Sequence, residues 1–341
     1  MIKEATEILS GNNDLTAAQM EAVMEEIMTG KVDTAQIVSF LTNLNKKGET
    51  VQELTAAVQV MRRHARKIKT KHKVILDTCG TGGDRKHTFN ISTAAAFVVS
   101  GAGIAVAKHG NRCVSSKSGS ADILEALGIN INMAGEKIEK CLDEIGIAFL
   151  FAQNFHPAMK YAMPARKEMG VRTIFNFLGP LSNPADATHQ LLGVYDRKWA
   201  YILACALEKL GSRHALVVRG ADGLDEITTT DETSVWEVSS REVSEHTISY
   251  ADFGFKKASL SDLSGGQPLE NAKLLLEILN NKLGAMHDIV VLNAAAAIYA
   301  AKDLALPLKE GIQEGIKLAE KSLETKSALR KLELLKECSN K

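Results

Sequence analysis

Val74-Ile75-Leu76-Asp77-Thr78-Cys79-Gly80-Thr81-Gly82-Gly83-Asp84 is the stretch on which the reading of this chain turns. Three aliphatic residues read as a short buried strand, and glycines follow at 80, 82 and 83. Glycines this dense let a backbone approach a ligand closely and turn its N–H groups inward as an anion nest. Downstream, Phe89-Asn90-Ile91-Ser92-Thr93 precedes Ala94-Ala95-Ala96-Phe97. Asn, Ser and Thr are N-capping types, so a helix start offering free donors and a positive dipole end is expected there. Strand, glycine loop and helix start together make a phosphate cradle. The spacing is neither G-x-G-x-x-G nor the Walker pattern, which argues against a dinucleotide or ATP site. A tight turn needing positive φ explains one or two of the glycines, but not Asp84 or the capping cluster.

Three further elements fit the same chemistry. Lys108-His109-Gly110-Asn111-Arg112 also follows a strand pattern, with Ser115, Ser116, Ser118 and Ser120 just behind. Lysine as a point charge, arginine as a fork and hydroxyl donors suit a polyanion such as pyrophosphate; a solvated polar loop is the plainer alternative. Asp222-Gly223-Leu224-Asp225-Glu226 follows Leu216-Val217-Val218. Adjacent carboxylates in a loop can face one cation, and magnesium favours one or two carboxylates plus substrate phosphates; an acidic surface turn is the competing reading. Arg166 lies near Asn176-Phe177-Leu178-Gly179-Pro180-Leu181-Ser182-Asn183-Pro184, where Gly-Pro and Asn-Pro steps stiffen the backbone. It could grip a carboxylate, although taken singly it reads as a surface arginine. His156, His189, His214 and His287 show no partner at catalytic or metal spacing, and no G-x-S-x-G, H-E-x-x-H or Ser/His/Asp set is apparent.

Outward from these loops the chain changes grammar. The first 66 or so residues read as helices only: Met20, Val23, Met24 and Ile27 recur at helical spacing, as do Ile37, Phe40, Leu41 and Leu44. Thr16 with Gln19, and Thr50 with Glu53, look like capping boxes. From Val74 onward, strand patterns at 104–107, 129–131, 148–151 and 215–218 alternate with helical segments, which implies a largely parallel sheet. Residues 233–250 alternate as an antiparallel edge, and helix returns from Asn271. The expected fold is a large α/β domain with a mostly parallel central sheet, residues 71–341, plus a small all-α domain, residues 1–70. The ambiguous segment around 156–190 is expected to contribute part of its length to the helical domain.

Composition bounds the rest. The 341 residues are 45% hydrophobic and 24% charged, ample for a core, with Lys+Arg and Asp+Glu equal at 41 each. No global field draws nucleic acid or an anionic membrane, so any anionic ligand must be held locally. The five cysteines, 79, 113, 141, 205 and 338, show no C-x-x-C spacing, and their odd number argues against a disulfide framework. The N-terminus lacks a signal-peptide layout and the longest uncharged runs are too short to span a bilayer; a cytoplasmic protein is expected.

The order and combination of these motifs resemble the anthranilate phosphoribosyltransferases of tryptophan biosynthesis over essentially the whole chain. The resemblance implies a fold shared with pyrimidine nucleoside phosphorylases and a homodimer formed through the helical part. It implies phosphoribosyl pyrophosphate on Gly80, Gly83, Asp84, Thr88, Asn90, Ile91, Ser92, Thr93, Lys108, Arg112, Ser115, Ser116 and Ser120. Anthranilate is expected to meet Gly80, His109, Asn111, Arg166 and Pro180, and Mg2+ to be held by Ser92, Asp225 and Glu226. Lys108, Asp225 and Glu226 are the implied catalytic residues. Two alternatives remain open on sequence: a pyrimidine nucleoside phosphorylase, which the run Lys117-Ser118-Gly119-Ser120-Ala121-Asp122 also resembles, and a non-catalytic, nucleic-acid-binding relative.

Overall fold

The computed structural model describes residues 1–112, 118–239, 242–302 and 304–341. Four helices open the chain: α1 (Ile2–Ser10), α2 (Ala17–Met28), α3 (Thr34–Lys47) and α4 (Val51–His64). Both expected capping boxes form, at Thr16/Gln19 and Thr50/Glu53. A third, Asp33/Gln36, opens α3. Glu53 does more than cap. Its side chain is fully buried, its Oε1 accepts the Leu15 N–H at 2.9 Å, and its Oε2 accepts the Thr50 N–H at 2.8 Å and the Lys47 ammonium at 2.7 Å. One carboxylate thus ties the end of α3, the start of α4 and the turn before α2.

The remaining chain alternates: β1 (Leu76–Gly80), α5 (Ile91–Gly101), β2 (Val106–Gly110), α6 (Ser120–Ala126), α7 (Gly135–Ile145), β3 (Ile147–Phe151) and a one-turn α8 (Ala152–Phe155). Then come α9 (Met163–Met169), α10 (Phe175–Leu181), β4 (His189–Gly193), α11 (Arg197–Lys209), β5 (His214–Gly220), β6 (Glu232–Ser239) and β7 (Glu242–Ser249). Four helices close the chain: α12 (Pro268–Leu279), α13 (Ala285–Lys302), α14 (Leu308–Glu324) and α15 (Ser327–Asn340). The sheet order is β3-β2-β1-β4-β5-β6-β7, parallel from β3 to β5, with β6 and β7 added antiparallel as the alternation at 233–250 predicts.

Three strand expectations need correction. Residues 129–131 form no strand; Ile129 and Ile131 are buried in the core beneath the loop between α6 and α7. His189–Gly193 is a strand the sequence reading does not find, because His-Gln-Leu-Leu-Gly lacks β-branched residues and alternation. β1 and β2 also run further than their apolar residues suggest. Asp77 to Gly80 and Lys108 to Gly110 lie inside strands, because in-register pairing with β4 and β3 continues to Gly80↔Gly193 and Gly110↔Phe151.

The sheet's two faces bury different cores, as the two-residue period of a strand requires. Leu191, Leu216, Val218 and Val235 face a core built with α5, α7 and α12 to α15. Leu192, Ala215, Val217 and Trp236 face one that includes α11 and all four N-terminal helices. The ambiguous segment is helical, and Ala162, Ala165, Ile174, Phe175, Phe177, Leu178 and Leu181 join the core of the N-terminal helices. No helix is long and apolar enough to cross a membrane among the described residues.

Removing the Glu53 carboxylate should expose how much the helical unit depends on it. Glu53→Ala orphans the Leu15 amide and leaves Lys47, 4% exposed, with Asp14 alone. A loss of about 3 kcal/mol is expected, read as a lower urea midpoint at unchanged slope. Glu53→Gln, which keeps the shape and part of the bonding, should cost about 1 kcal/mol. An alanine variant as stable as the parent would contradict the anchoring role.

Candidate functional site

β1 is the point at which the sheet changes direction: the chain continues to β2 on one side, while β4 pairs on the other. Open α/β sheets leave a crevice beyond the carboxyl ends of their strands at such a point. Here Gly80 and Gly193 end β1 and β4 side by side. The loop after β5 crosses directly above them. A Cβ on Gly193 would fall inside the carbonyl group of Asp225, and one on Gly80 would lie 2.6 Å from Asp225 Oδ2. Two glycines at the strand ends are therefore what admits the acidic loop.

That loop meets the glycine loop and the start of α5. Asp225 Oδ2 accepts the Gly82 N–H at 2.8 Å, and Glu226 Oε1 accepts the Ser92 N–H at 3.2 Å. Both amides are donors of the kind that hold phosphate oxygens, one in a glycine loop and one at a helix N-terminus. Asn90 precedes α5 but does not cap it with its side chain. Its Nδ2 donates to Ser118 O at 3.1 Å, and its Oδ1 accepts from Asn271 at 2.9 Å. Thr88 forms an isolated bridge with Ser264, which shapes the far side of the glycine loop.

Because Lys108 and His109 are strand residues, they point to opposite faces. Lys108 reaches the α5 side, where its ammonium donates to the Thr78 carbonyl and lies 3.3 Å from Ser92 Oγ. His109 reaches the α10 side: Nδ1–H donates to the Gly179 carbonyl at 3.2 Å and the ring lies 5.1 Å from that of His156. That bond leaves the lone pair on Nε2, which is buried with no partner among the described residues. Pro180 beside it accepts from Gln190 Nε2 through its carbonyl at 2.7 Å. The backbone N–H of His109 donates to Asp77 Oδ1, whose Oδ2 accepts from Asn183 at 2.8 Å; Asn183 also donates to the Ala107 carbonyl at 2.8 Å. One buried Asp–Asn pair thus fixes both strands and the turn after α10.

The electrostatics are those of charges packed together out of water. Burial, then the neighbouring Asp84, raises Asp225 to about 6; burial, then Asp225, raises Glu226 well above the usual carboxylate range. Burial raises Asp77 to about 6 despite Lys108 beside it, and lowers Lys108 against the pull of Asp77 and Glu226. Asp84 is raised by burial as well. His109 is pushed down to about 3, chiefly by burial, so its ring is neutral and weakly basic. Two crowded carboxylates with raised pKa values, beside a hydroxyl, are the oxygen donors a hard divalent cation takes, and such a cation relieves their repulsion. Among the described residues no three His, Cys, Asp or Glu side chains form a protein-only metal cage.

The structure therefore gathers Gly80, Gly83, Asp84, Ser92, Lys108, Asp225 and Glu226 around the switch point, with Ile91 and Thr93 buried in the first turn of α5. Ser120 Oγ donates to Asn111 O at 3.3 Å, holding β2's end against α6. Arg112 turns away toward Asp122 and Glu125, over the Phe151 ring. Arg166 sits apart on α9, its guanidinium 5.8 Å from the Phe175 ring centre, and no hydrogen bond joins it to His109 or Asn111 among the described residues. Ser115 and Ser116, like Cys113, lie outside the described residues. Asn183, Thr78 and Arg172 are site residues that sequence reasoning did not single out. A buried Asn before proline is a legible cue for the first; nothing local marks the other two.

Residues 3–65 match the helical bundle domain of a glycosyl transferase family, and residues 72–329 match the a/b domain of the same family. The anthranilate phosphoribosyltransferase of Clostridium kluyveri is 52% identical over 313 residues, 92% of this chain and 93% of that one. The crystal structure of the Thermus thermophilus enzyme of that name superposes with a TM-score of 0.91 at 38% identity, covering 99% of both chains. The Saccharomyces cerevisiae enzyme, solved in complex with PRPP (phosphoribosyl pyrophosphate) and Mg, superposes with a TM-score of 0.90 at 29% identity over 99% of this chain and 98% of that one. With identity at this level along nearly its full length, the chain belongs to the anthranilate phosphoribosyltransferase family.

Proposed function

We propose that this chain transfers the phosphoribosyl group of 5-phosphoribosyl 1-pyrophosphate to the amine of anthranilate, releasing pyrophosphate. The observation that carries the reading is the convergence of Asp225 and Glu226 on the Gly82 and Ser92 amides at the switch point of the sheet. In this reading the amides of the glycine loop and of α5, with Lys108, hold phosphate oxygens of the donor, alongside Asp84, Thr88, Asn90, Thr93 and Ser120. Ser92, Asp225 and Glu226 hold Mg2+. When bound, magnesium neutralises charge on the pyrophosphate and favours its departure.

The rest is the work of the chain's own groups. As the bond from ribose C1′ to pyrophosphate oxygen breaks, positive character grows on the sugar and negative charge on the leaving group. On donor binding the Gly82 and Ser92 amides pass from the acidic pair to phosphate oxygens, with Lys108 3.3 Å from Ser92 Oγ, so positioning and electrostatics supply the catalysis. The amine nitrogen of anthranilate attacks C1′ and its surplus proton passes to solvent. A neutral aromatic amine needs no strong base, which agrees with a His109 held near pKa 3. Arg166, loosely held by the protein and partly desolvated, is free to take the anthranilate carboxylate. His109, Asn111 and Pro180 line the way to it.

We further propose that residues 1–70, with part of 156–190, act as one helical domain against an α/β domain of residues 71–341; the core shared by α1 to α4, α9 and α10 supports this. Exposed Met1, Tyr161, Met163 and Val171 on these segments support a homodimer formed through the helical part. A neutral net charge favours small-molecule substrates over nucleic acid, and a cytoplasmic location follows from a biosynthetic role in tryptophan formation.

Two sets of variants test the roles. Asp225→Asn removes a charge from the metal pair and should lower kcat about a hundredfold or more, whereas His109→Ala should cost less than about tenfold; the reverse ranking in steady-state assays overturns the assignment. Arg166→Ala should raise the KM for anthranilate about tenfold or more with little change in kcat, because the carboxylate contact is made equally in ground and transition states. An unchanged anthranilate KM discards that role.

A further inference from the structure

Gly82 is held at both of its polar ends. Its N–H goes to Asp225, and its carbonyl accepts from Arg172 Nη2 at 2.7 Å. Arg172 stands in the turn between α9 and α10, on the side of the molecule whose core is shared with the N-terminal helices. Its backbone carbonyl accepts from Asn45 Nδ2 of α3 at 2.6 Å. Its guanidinium is stacked 4.0 Å from the centre of the Tyr195 ring, and the Tyr195 carbonyl is in turn held by Arg219 Nε at 3.0 Å. The fit is close: a Cβ on Gly83 would fall onto Arg172 Nη2. Gly82 and Gly83 are successive left-handed residues, at φ 64° and 78°, so without a side-chain anchor this peptide has wide freedom. The Nη1 group of Arg172 is buried beside the loop with no partner among the described residues.

We propose that Arg172 is a positioning residue for phosphoribosyl pyrophosphate binding: it fastens the Gly82 carbonyl to the helical side, so that the glycine loop is held in one course, its Gly82 N–H on Asp225, before the donor arrives. The inference rests on the transferase reading above. A loop ordered in advance does not lose that freedom on binding, so the effect belongs in the affinity for the donor and not for the acceptor. The stack on Tyr195 and the fork geometry explain why arginine and not lysine stands here, since a lysine could reach one carbonyl but could not lie flat on the ring. Asn45 extends the same line of contact to α3, which gives the helical unit a grip on the glycine loop through one side chain.

Steady-state kinetics of the full-length protein with saturating magnesium test this. Arg172→Gln should raise the KM for phosphoribosyl pyrophosphate about tenfold or more, leave the anthranilate KM within about twofold, and leave the melting temperature unchanged. Arg172→Lys should recover only part of the loss. Asn45→Ala, a substitution at an exposed position of α3, should raise the same KM about threefold. Tyr195→Phe keeps the ring and should behave as the parent. If the parent protein turns over and Arg172→Gln shows an unchanged donor KM, or raises both KM values alike, the positioning role is wrong. If the parent itself does not consume anthranilate, the transferase reading has failed first. Should Arg172→Gln not fold, the Asn45→Ala donor KM decides, and no change there rejects the coupling.

Discussion

The loop that follows β5 returns across the carboxyl ends of β1 and β4, and it has room only because positions 80 and 193 carry no side chain. That crossing puts two carboxylates where a glycine loop and a helix N-terminus present their amides. Without it, the glycine loop would be an anion nest with no place for a cation, and the acidic loop an ordinary surface turn. The parallel sheet supplies the frame, but its usefulness for chemistry lies in this one steric allowance at the point where strand order reverses.

Charges gathered this way work against the fold. Asp77, Asp225 and Glu226 are all raised by burial, and Lys108 is lowered by it. Groups so perturbed at a strand-end crevice are the ones from which the proposed binding site is built. The protein limits the cost by giving most of them donors: Asn183 and the His109 amide for Asp77, the Gly82 and Ser92 amides for the acidic pair. In the proposed function, magnesium bound with the pyrophosphate of the donor would replace this repulsion with attraction, which is the physical reason donor and metal should bind together.

Much of this was legible in the sequence because it rests on local chemistry. Capping boxes at Thr16 and Thr50, the helical spacing of Met20 to Ile27, the glycine loop and the Asp225-Glu226 pair all announce themselves within a few residues. What was missed depends on neighbours far along the chain. His189–Gly193 becomes a strand only because it is clasped between β1 and β5, and residues 129–131, apolar enough to look like a strand, find no partner to pair with. Lys108 and His109 read as loop residues until the pairing of β2 with β3 sends them to opposite faces. Arg172 is invisible locally, since its significance is a contact with Gly82, ninety positions away. The phosphorylase and nucleic-acid readings, open on motifs alone, gave way to family membership along the whole length of the chain.

The most direct measurement is anthranilate fluorescence against time, with the purified protein, phosphoribosyl pyrophosphate and magnesium, beside a matched sample containing EDTA. The signal should fall only when all three components are present, and EDTA should stop it. A folded protein that leaves the fluorescence unchanged, or consumes anthranilate equally well in EDTA, would contradict the transferase reading.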